Sequence, residues 1–181
     1  MNIFDKKFKE ILSSQMVSIA GGLIAGTLLA IYTDKLFIIP GMLILLPGFL
    51  EMRGNISGSL AARLTSGMFL KVVKKNKINT KIVRGNIFAS FFLAIIISLL
   101  LGIFAFLFNM WIFHIIMPKI ILIPLIAGIL ANIIEIPITI LATFYIFRKG
   151  HDPDNIMGPF VTSSGDIVSV VALLFVIMVL T

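Results

Sequence analysis

The residue with the clearest chemical consequence is Asp166, a carboxylate inside the last apolar stretch of the chain, Pro159 to Leu180. That stretch is long and apolar enough to cross a bilayer. An acidic side chain inside such a span costs about 2.5–3.5 kcal/mol on insertion scales, so it usually has a partner and a function. The hydroxyl side chains of Thr162, Ser163 and Ser169 lie three or four residues away, which makes one face of this helix polar. Carboxylate and hydroxyl oxygens suit hard cations such as Mg²⁺ and Ca²⁺, so this face predicts a cation site.

Two interpretations of the intramembrane carboxylates stay open at this stage. Asp166 is either a cation ligand or one half of a structural ion pair with Arg53 or Arg63. Glu51 lies close to Arg53 in the sequence, which favours a structural or gating pair between these two. Glu135 lies inside another apolar stretch and is either a ligand or a polar contact between helices.

Two further aspartates, Asp152 and Asp154, come just before the last apolar stretch. We expect both at the cytoplasmic mouth of an ion path, where the charge of Asp154 would attract cations. Asp154 or Asn155 is also a candidate N-cap for the last helix, because both residue types accept hydrogen bonds from free backbone N–H groups.

The sequence contains no pattern that indicates an enzyme. It lacks a Ser/His/Asp set within the apolar stretches, a metalloprotease HExxH, a phosphate-binding GxxxxGK and a dinucleotide fingerprint. It also lacks cysteine, which excludes disulfides, thiolate metal sites and cysteine nucleophiles. We therefore predict a protein that is not an enzyme.

The composition is that of a membrane protein. Apolar residues make up 59% of the chain and charged residues 13%, against about 25% charged in an ordinary soluble domain. The net charge of +7 does not indicate a nucleic-acid partner, because the basic residues lie between apolar stretches. The lipid bilayer is the predicted partner, and the predicted location is the cell membrane, crossed several times.

The chain reads as an all-α integral membrane protein with five transmembrane helices, of which the second is broken. An amphipathic cytoplasmic helix is predicted over residues 1–14, followed by a transmembrane domain over residues 15–181. The spans are predicted at residues 15–32, 36–73, 87–108, 120–147 and 159–180.

The break in the second span is predicted from its prolines and glycines. Pro47-Gly48, Gly54-Asn55 and Gly58 follow one another too closely for a straight helix. A broken helix frees backbone groups, which are tolerated at membrane depth only against protein or a watery cavity. Pro47 is therefore predicted to line a pore.

The distribution of basic residues predicts that the N-terminus is inside and the C-terminus outside. Cytoplasmic loops are enriched in lysine and arginine. Most of the basic residues fall on one side of the predicted topology, namely Lys6, Lys7, Lys9, Lys71, Lys74, Lys75, Lys77, Lys81, Arg84, Arg148 and Lys149. Lys35 and Lys119 fall on the other side.

Two segments together resemble one known family. The second element, from Pro47-Gly48 through Arg53-Gly54-Asn55 to Ala61-Ala62-Arg63-Leu64-Thr65, resembles the membrane domain of MgtE-type magnesium transporters. It looks especially like their eukaryotic solute-carrier relatives, which carry two such domains in one chain. The last stretch, with Asp152-Pro153-Asp154-Asn155, Gly158-Pro159 and Ser163-Ser164-Gly165-Asp166, is similar to the last span of that family. The resemblance covers essentially the whole chain.

The resemblance implies a homodimer of five-helix subunits with a cation path where the subunits meet. It implies that Asp166 contributes to the Mg²⁺ site and that Gly54 and Asn55 line the same region. The chain differs from bacterial MgtE in lacking the cytosolic N-domain and the Mg²⁺-sensing CBS domains. It has one five-helix unit where the eukaryotic relatives have two. A second chain, either an identical copy or a sister half, is therefore expected to complete the pore.

The expected function is a transporter or channel for divalent cations, with Mg²⁺ as the transported ion and no organic cofactor. The predicted metal-ligating residues are Asp166, Asn55, Thr162 and Ser163. The residues predicted to line the pore are Gly54, Glu51, Pro47, Ser169 and Glu135. The predicted cytoplasmic mouth comprises Asp152 and Asp154. Two alternatives remain, a Na⁺-coupled Mg²⁺ exchanger and a membrane interaction subunit that transports nothing.

Overall fold

A computed structural model describes residues 6–180 of the chain, and the start of the predicted amphipathic helix, residues 1–5, lies outside the described residues. Within residues 6–180 there are six helices and no strand. The helices are α1 (Lys6–Ile31), α2 (Thr33–Phe37), α3 (Met42–Phe69), α4 (Lys81–Phe113), α5 (Lys119–Arg148) and α6 (Pro153–Leu180). The predicted all-helical class is confirmed.

Four of these helices, α1, α4, α5 and α6, are long and apolar enough to cross a membrane. Helix α3 has 28 residues, which is also long enough to span, but Glu51, Arg53 and Arg63 make it more polar. The count of five spans and the N-in orientation therefore stay predictions. The polar side chains of α3 require protein or water as neighbours, because contact with lipid is unfavourable for them.

Helix α1 runs without interruption through the predicted boundary at residue 14. Residues 6–14 belong to the same helix as the first predicted span, and α1 ends at Ile31. Its inner face consists of small residues, Ser14, Gly21 and Ala25, which are buried against the rest of the molecule. Side chains this small let α1 approach α6 closely.

The predicted break in the second span is wrong, because α3 is a single helix from Met42 to Phe69. Pro47 lies near its start, where it removes one backbone hydrogen bond without ending the helix. Gly54 and Gly58 face α6, and a Cβ atom at Gly54 would come within 3.9 Å of Thr162 Oγ1. At both glycines such a Cβ atom would make only ordinary van der Waals contacts, so a small side chain would fit here, and the two glycines leave the space between the helices open. The chain turns earlier, at Gly41, whose φ of +79° is unfavourable for other residues.

The basic segments gather at one end of the helix bundle. Lys6 Nζ donates to the carbonyl of Gly150 over 3.1 Å, and Arg148 Nε donates to the carbonyl of Lys75 over 2.7 Å. The start of α1, the α3–α4 loop and the α5–α6 loop are thus neighbours. Lys119 lies at the opposite end, where its Nζ donates to the carbonyl of Leu180. The basic segments that the sequence assigns to one side do lie together.

Helix α6 has a central position. It packs against α1, α3 and α5, whereas α4 packs against α3 and α5. Helices α4 and α5 come very close at Gly102, where an added Cβ atom would lie 2.6 Å from the carbonyl oxygen of Ile121. Because α3 and α6 lie side by side, residues from both predicted motifs meet along one line of contact.

Candidate cation site

A groove of about 400 Å³ lies on the surface between α3 and α6. It is lined by Pro47, Leu50, Glu51, Gly54, Asn55 and Gly58 of α3 and by Gly158, Val161, Thr162 and Asp166 of α6. On each helix these residues recur at spacings of three or four, so each helix contributes one face. Six residues predicted from the sequence are thereby brought together, namely Asp166, Asn55, Thr162, Gly54, Glu51 and Pro47.

Asp166 lies half-buried at one end of this groove. No hydrogen bond to its carboxylate occurs within residues 6–180, and no nitrogen of Arg53 or Arg63 lies within 4.0 Å of it. Arg63 instead donates to Ser59 and Ser90. The structure thus does not contain the structural ion pair that the sequence left open for Asp166.

Glu51 and Asn55 form a pair on the opposite wall of the groove. Asn55 Nδ2 donates to Glu51 Oε1 over 3.1 Å, and both side chains are exposed. The predicted pair between Glu51 and Arg53 is wrong, because Arg53 points into the protein. The charges of Glu51 and Asp166 repel each other across the groove. The groove is therefore a place of concentrated negative charge.

Thr162 completes the polar lining on α6. Its Oγ1 donates to the carbonyl of Gly158 one turn earlier, over 3.0 Å, and the oxygen keeps its lone pairs for accepting. Gly54 lies opposite, with its Cα facing this hydroxyl. The lining therefore offers carboxylate, amide and hydroxyl oxygens, the donor types that Mg²⁺ prefers.

Two predicted residues of α6 lie away from the groove. Ser163 is buried against α1, where it would clash with a Cβ atom at Gly21, and its hydroxyl donates to the carbonyl of Phe160. Ser169 is fully buried and accepts a hydrogen bond from Arg53 Nε over 3.2 Å. Neither is placed to contact an ion in the groove, because each hydroxyl is engaged inside the protein.

Glu135 is also placed away from the groove, in a buried cluster behind α6. It is fully buried, and its Oε1 accepts a hydrogen bond from Ser164 Oγ over 2.8 Å. The charges of Glu135 and Arg53 attract each other, although no nitrogen and oxygen of the two lie within 4.0 Å. Arg53 also donates to the carbonyl of Ala131. Glu135 therefore does not line this groove, because its side chain is buried and hydrogen-bonded to Ser164 in the interior.

The two aspartates before α6 have different positions. Asp152 Oδ1 accepts from the backbone N–H of Asp154 over 3.1 Å, so Asp152 is the side chain that caps the helix. Asp154 is exposed in the first turn of α6 and is not among the residues that line the groove. Its expected place at the cytoplasmic mouth therefore stays a prediction.

A single chain offers only part of a coordination sphere. Within residues 6–180, no three histidine, aspartate or glutamate side chains form a group that could hold a metal ion. The groove has two carboxylates and an amide, whereas Mg²⁺ takes six oxygen ligands. Retained water or a second chain would have to supply the others.

Arg53 is the residue whose position the sequence reasoning missed. It is 1% exposed, and its side chain donates to Ser169 and to the carbonyl of Ala131 in the interior. Helical spacing could have predicted this position, because Arg53 is two residues after Glu51 and thus about 200° away from it around the helix. Glu51 and Asn55, four residues apart, share a face that Arg53 does not.

One family model matches the chain, over residues 46–176, and it describes a divalent cation transporter named MgtE. The match spans more than half of the sequence and includes both walls of the groove. It leaves out α1 and α2. A search of curated proteins finds no relative of this chain.

Proposed function

Because the chain belongs to the MgtE family of divalent cation transporters, we propose that it carries Mg²⁺ across the cell membrane along the groove between α3 and α6. Mg²⁺ is the cargo, and Asp166 is the residue that attracts and holds it. Glu51, Asn55 and Thr162 supply further oxygen atoms along the path. No covalent step and no organic cofactor are needed.

One observation carries this proposal, namely an acidic side chain without a partner on the flank of a membrane helix. Asp166 lies in an open groove with Glu51, and no described cationic group neutralises either of them. Contact of two carboxylates with lipid would be very unfavourable. The groove is therefore covered by something polar or charged, and a divalent cation satisfies that requirement.

The cover is a second copy of the same chain, related by a two-fold axis along the groove. In this arrangement each chain contributes one Asp166, and the two grooves become a single path. A bound dication relieves the repulsion between the carboxylates. Because Mg²⁺ gives up its water reluctantly, it stays largely hydrated and binds through water to carboxylate and amide oxygens.

The membrane potential is sufficient to drive uptake. An inside-negative potential of 100 mV favours entry of a dication by about 4.6 kcal/mol, from about 2.3 kcal/mol per elementary charge. Proteoliposomes that contain the protein should take up Mg²⁺ when such a potential is imposed, and faster than protein-free vesicles. Equal rates in the two would contradict the proposed function.

The dimer is tested by cross-linking, for which the chain is well suited because it contains no cysteine. Thr162→Cys places one thiol in the groove, and a short thiol-reactive cross-linker should convert most of this variant to a covalent dimer in membranes. Phe92→Cys is the matched control, since Phe92 is 67% exposed on α4, a helix that does not contribute to the groove. A monomeric Thr162→Cys variant, or equal yields from the two, would contradict the arrangement.

A further inference from the structure

A second and larger cleft, of about 720 Å³, lies at the end of the bundle where the basic segments gather. Its floor is apolar and consists of Met68 and Phe69 from the end of α3 and Phe147 from the end of α5. The rings of Phe69 and Phe147 meet edge to face, with centroids 5.2 Å apart. Such a floor suits an acyl chain and not a small soluble ion.

The rim of this cleft is basic. Four lysines line it, Lys71, Lys74, Lys75 and Lys77, all of them exposed, and no acidic residue lines it. The whole stretch from residue 70 to residue 84 contains no aspartate or glutamate. The rim therefore carries a positive charge that no described side chain of the cleft offsets.

The backbone that presents these lysines is held in a fixed shape. Val73 is 2% exposed, its N–H donates to the carbonyl of Gly67 over 2.8 Å, and its side chain fills the space that a Cβ atom at Gly67 would need. On the other side, Arg148 Nε donates to the carbonyl of Lys75. Cytoplasmic loops need only positive charge to follow the positive-inside rule. A folded cleft with an apolar floor goes beyond that requirement.

Lys71 has a backbone conformation that favours glycine. Its φ is +59°, in the left-handed region that few residues other than glycine, asparagine and aspartate adopt. Glycine at this position would relieve the strain but would remove one of the four charges. The left-handed conformation itself ends α3 after its C-cap, Leu70, and the observation that concerns the cleft is that a lysine occupies this position.

We propose that this cleft binds an anionic phospholipid, with the phosphate among the lysines and the start of an acyl chain on the aromatic floor. The neighbouring Leu70 and Val72 are 74% and 58% exposed, which places apolar side chains beside the charges as at a membrane surface. The sequence predicts this loop on the cytoplasmic side, where anionic lipids attract basic segments. The proposal does not depend on which ion the protein carries.

The test is lipid retention measured by native mass spectrometry. The full chain is extracted from vesicles that contain equal amounts of phosphatidylglycerol and phosphatidylcholine. We expect preferential retention of phosphatidylglycerol, and a loss of at least about tenfold in a variant that combines Lys74→Gln, Lys75→Gln and Lys77→Gln, because each lysine near an anionic surface contributes to binding.

The matched control combines Lys7→Gln, Lys9→Gln and Lys149→Gln, which removes the same charge at the same end of the molecule outside the cleft. It should retain phosphatidylglycerol as the natural chain does. Lys71→Gly should weaken retention while leaving the melting temperature equal or higher, since only a structural role would lower it. Equal loss in the control variant, no preference for phosphatidylglycerol, or displacement of the lipid by soluble glycerol phosphate would overturn the proposal.

Discussion

Replacement of Asp166 by asparagine is expected to lower Mg²⁺ uptake into proteoliposomes at least about tenfold, which corresponds to about 1.4 kcal/mol or more. The substitution keeps the size of the side chain and removes its charge. In the proposed dimer it removes two negative charges from one path, because each copy contributes one Asp166. No other described residue of the groove has an acidic group without a hydrogen-bond partner, since Glu51 accepts from Asn55.

Asp34→Asn is the matched control for this experiment. Asp34 is an exposed aspartate in α2, outside the groove, and undergoes the same chemical change. The Asp34→Asn variant should take up Mg²⁺ at the same rate as the natural chain. Unchanged uptake in a folded Asp166→Asn variant would show that Asp166 is not the site of the ion.

The second large effect concerns stability, and it arises from the buried charges of Arg53 and Glu135. Glu135→Gln should destabilise the folded protein by about 0.5–3 kcal/mol, the range for residues coupled in one buried network, because it removes the negative charge that faces the Arg53 guanidinium in the interior. Arg53→Met should also destabilise, since it leaves Glu135 alone. The variant with both substitutions should be considerably more stable than the sum of the two effects predicts.

These free energies are obtained by SDS titration of the four proteins in mixed micelles, with helix content as the readout. Arg84→Met serves as a comparison, because Arg84 is an exposed arginine of α4 whose side chain makes no hydrogen bond within residues 6–180, so this substitution should change stability little. Strictly additive effects of the Arg53 and Glu135 substitutions would contradict a charge interaction between them.

The sequence was sufficient to predict which face of α6 lines the groove. It was not sufficient to predict what the other polar residues of α6, Ser163 and Ser169, contact. Thr162 and Asp166 are four residues apart, so helical spacing places them together. Ser163 is rotated by about 100° from Thr162 and meets α1. Ser169 lies on nearly the same face as Thr162, but two turns further along, where Arg53 occupies the space between the helices. Periodicity in the sequence predicts the face of a helix on which a residue lies. It does not predict which side chains of the neighbouring helix the residue meets at that position.

The continuous helix α3 shows a second limit of prediction from the sequence, which concerns proline and glycine inside a membrane helix. Pro47, Gly54 and Gly58 predicted a broken helix, but the structure has a continuous one. Glycine lowers helix propensity by about 1 kcal/mol in water. In a membrane, where every backbone group needs a partner inside the protein, the helix is retained, and the two glycines line the groove between α3 and α6. The residue types were informative about the location of the groove, and the inference from them to a break was wrong.

The central claim is that one dication binds in the groove between two copies of Asp166, and counting bound ions tests it most directly. Mn²⁺, a paramagnetic substitute for Mg²⁺ with similar oxygen ligands, is titrated into the purified protein and followed by electron paramagnetic resonance. The account predicts about one tightly bound ion per two chains, from the proposed two-fold symmetry, and no such ion in the Asp166→Asn variant. One ion per chain, or the same binding in both proteins, would contradict it.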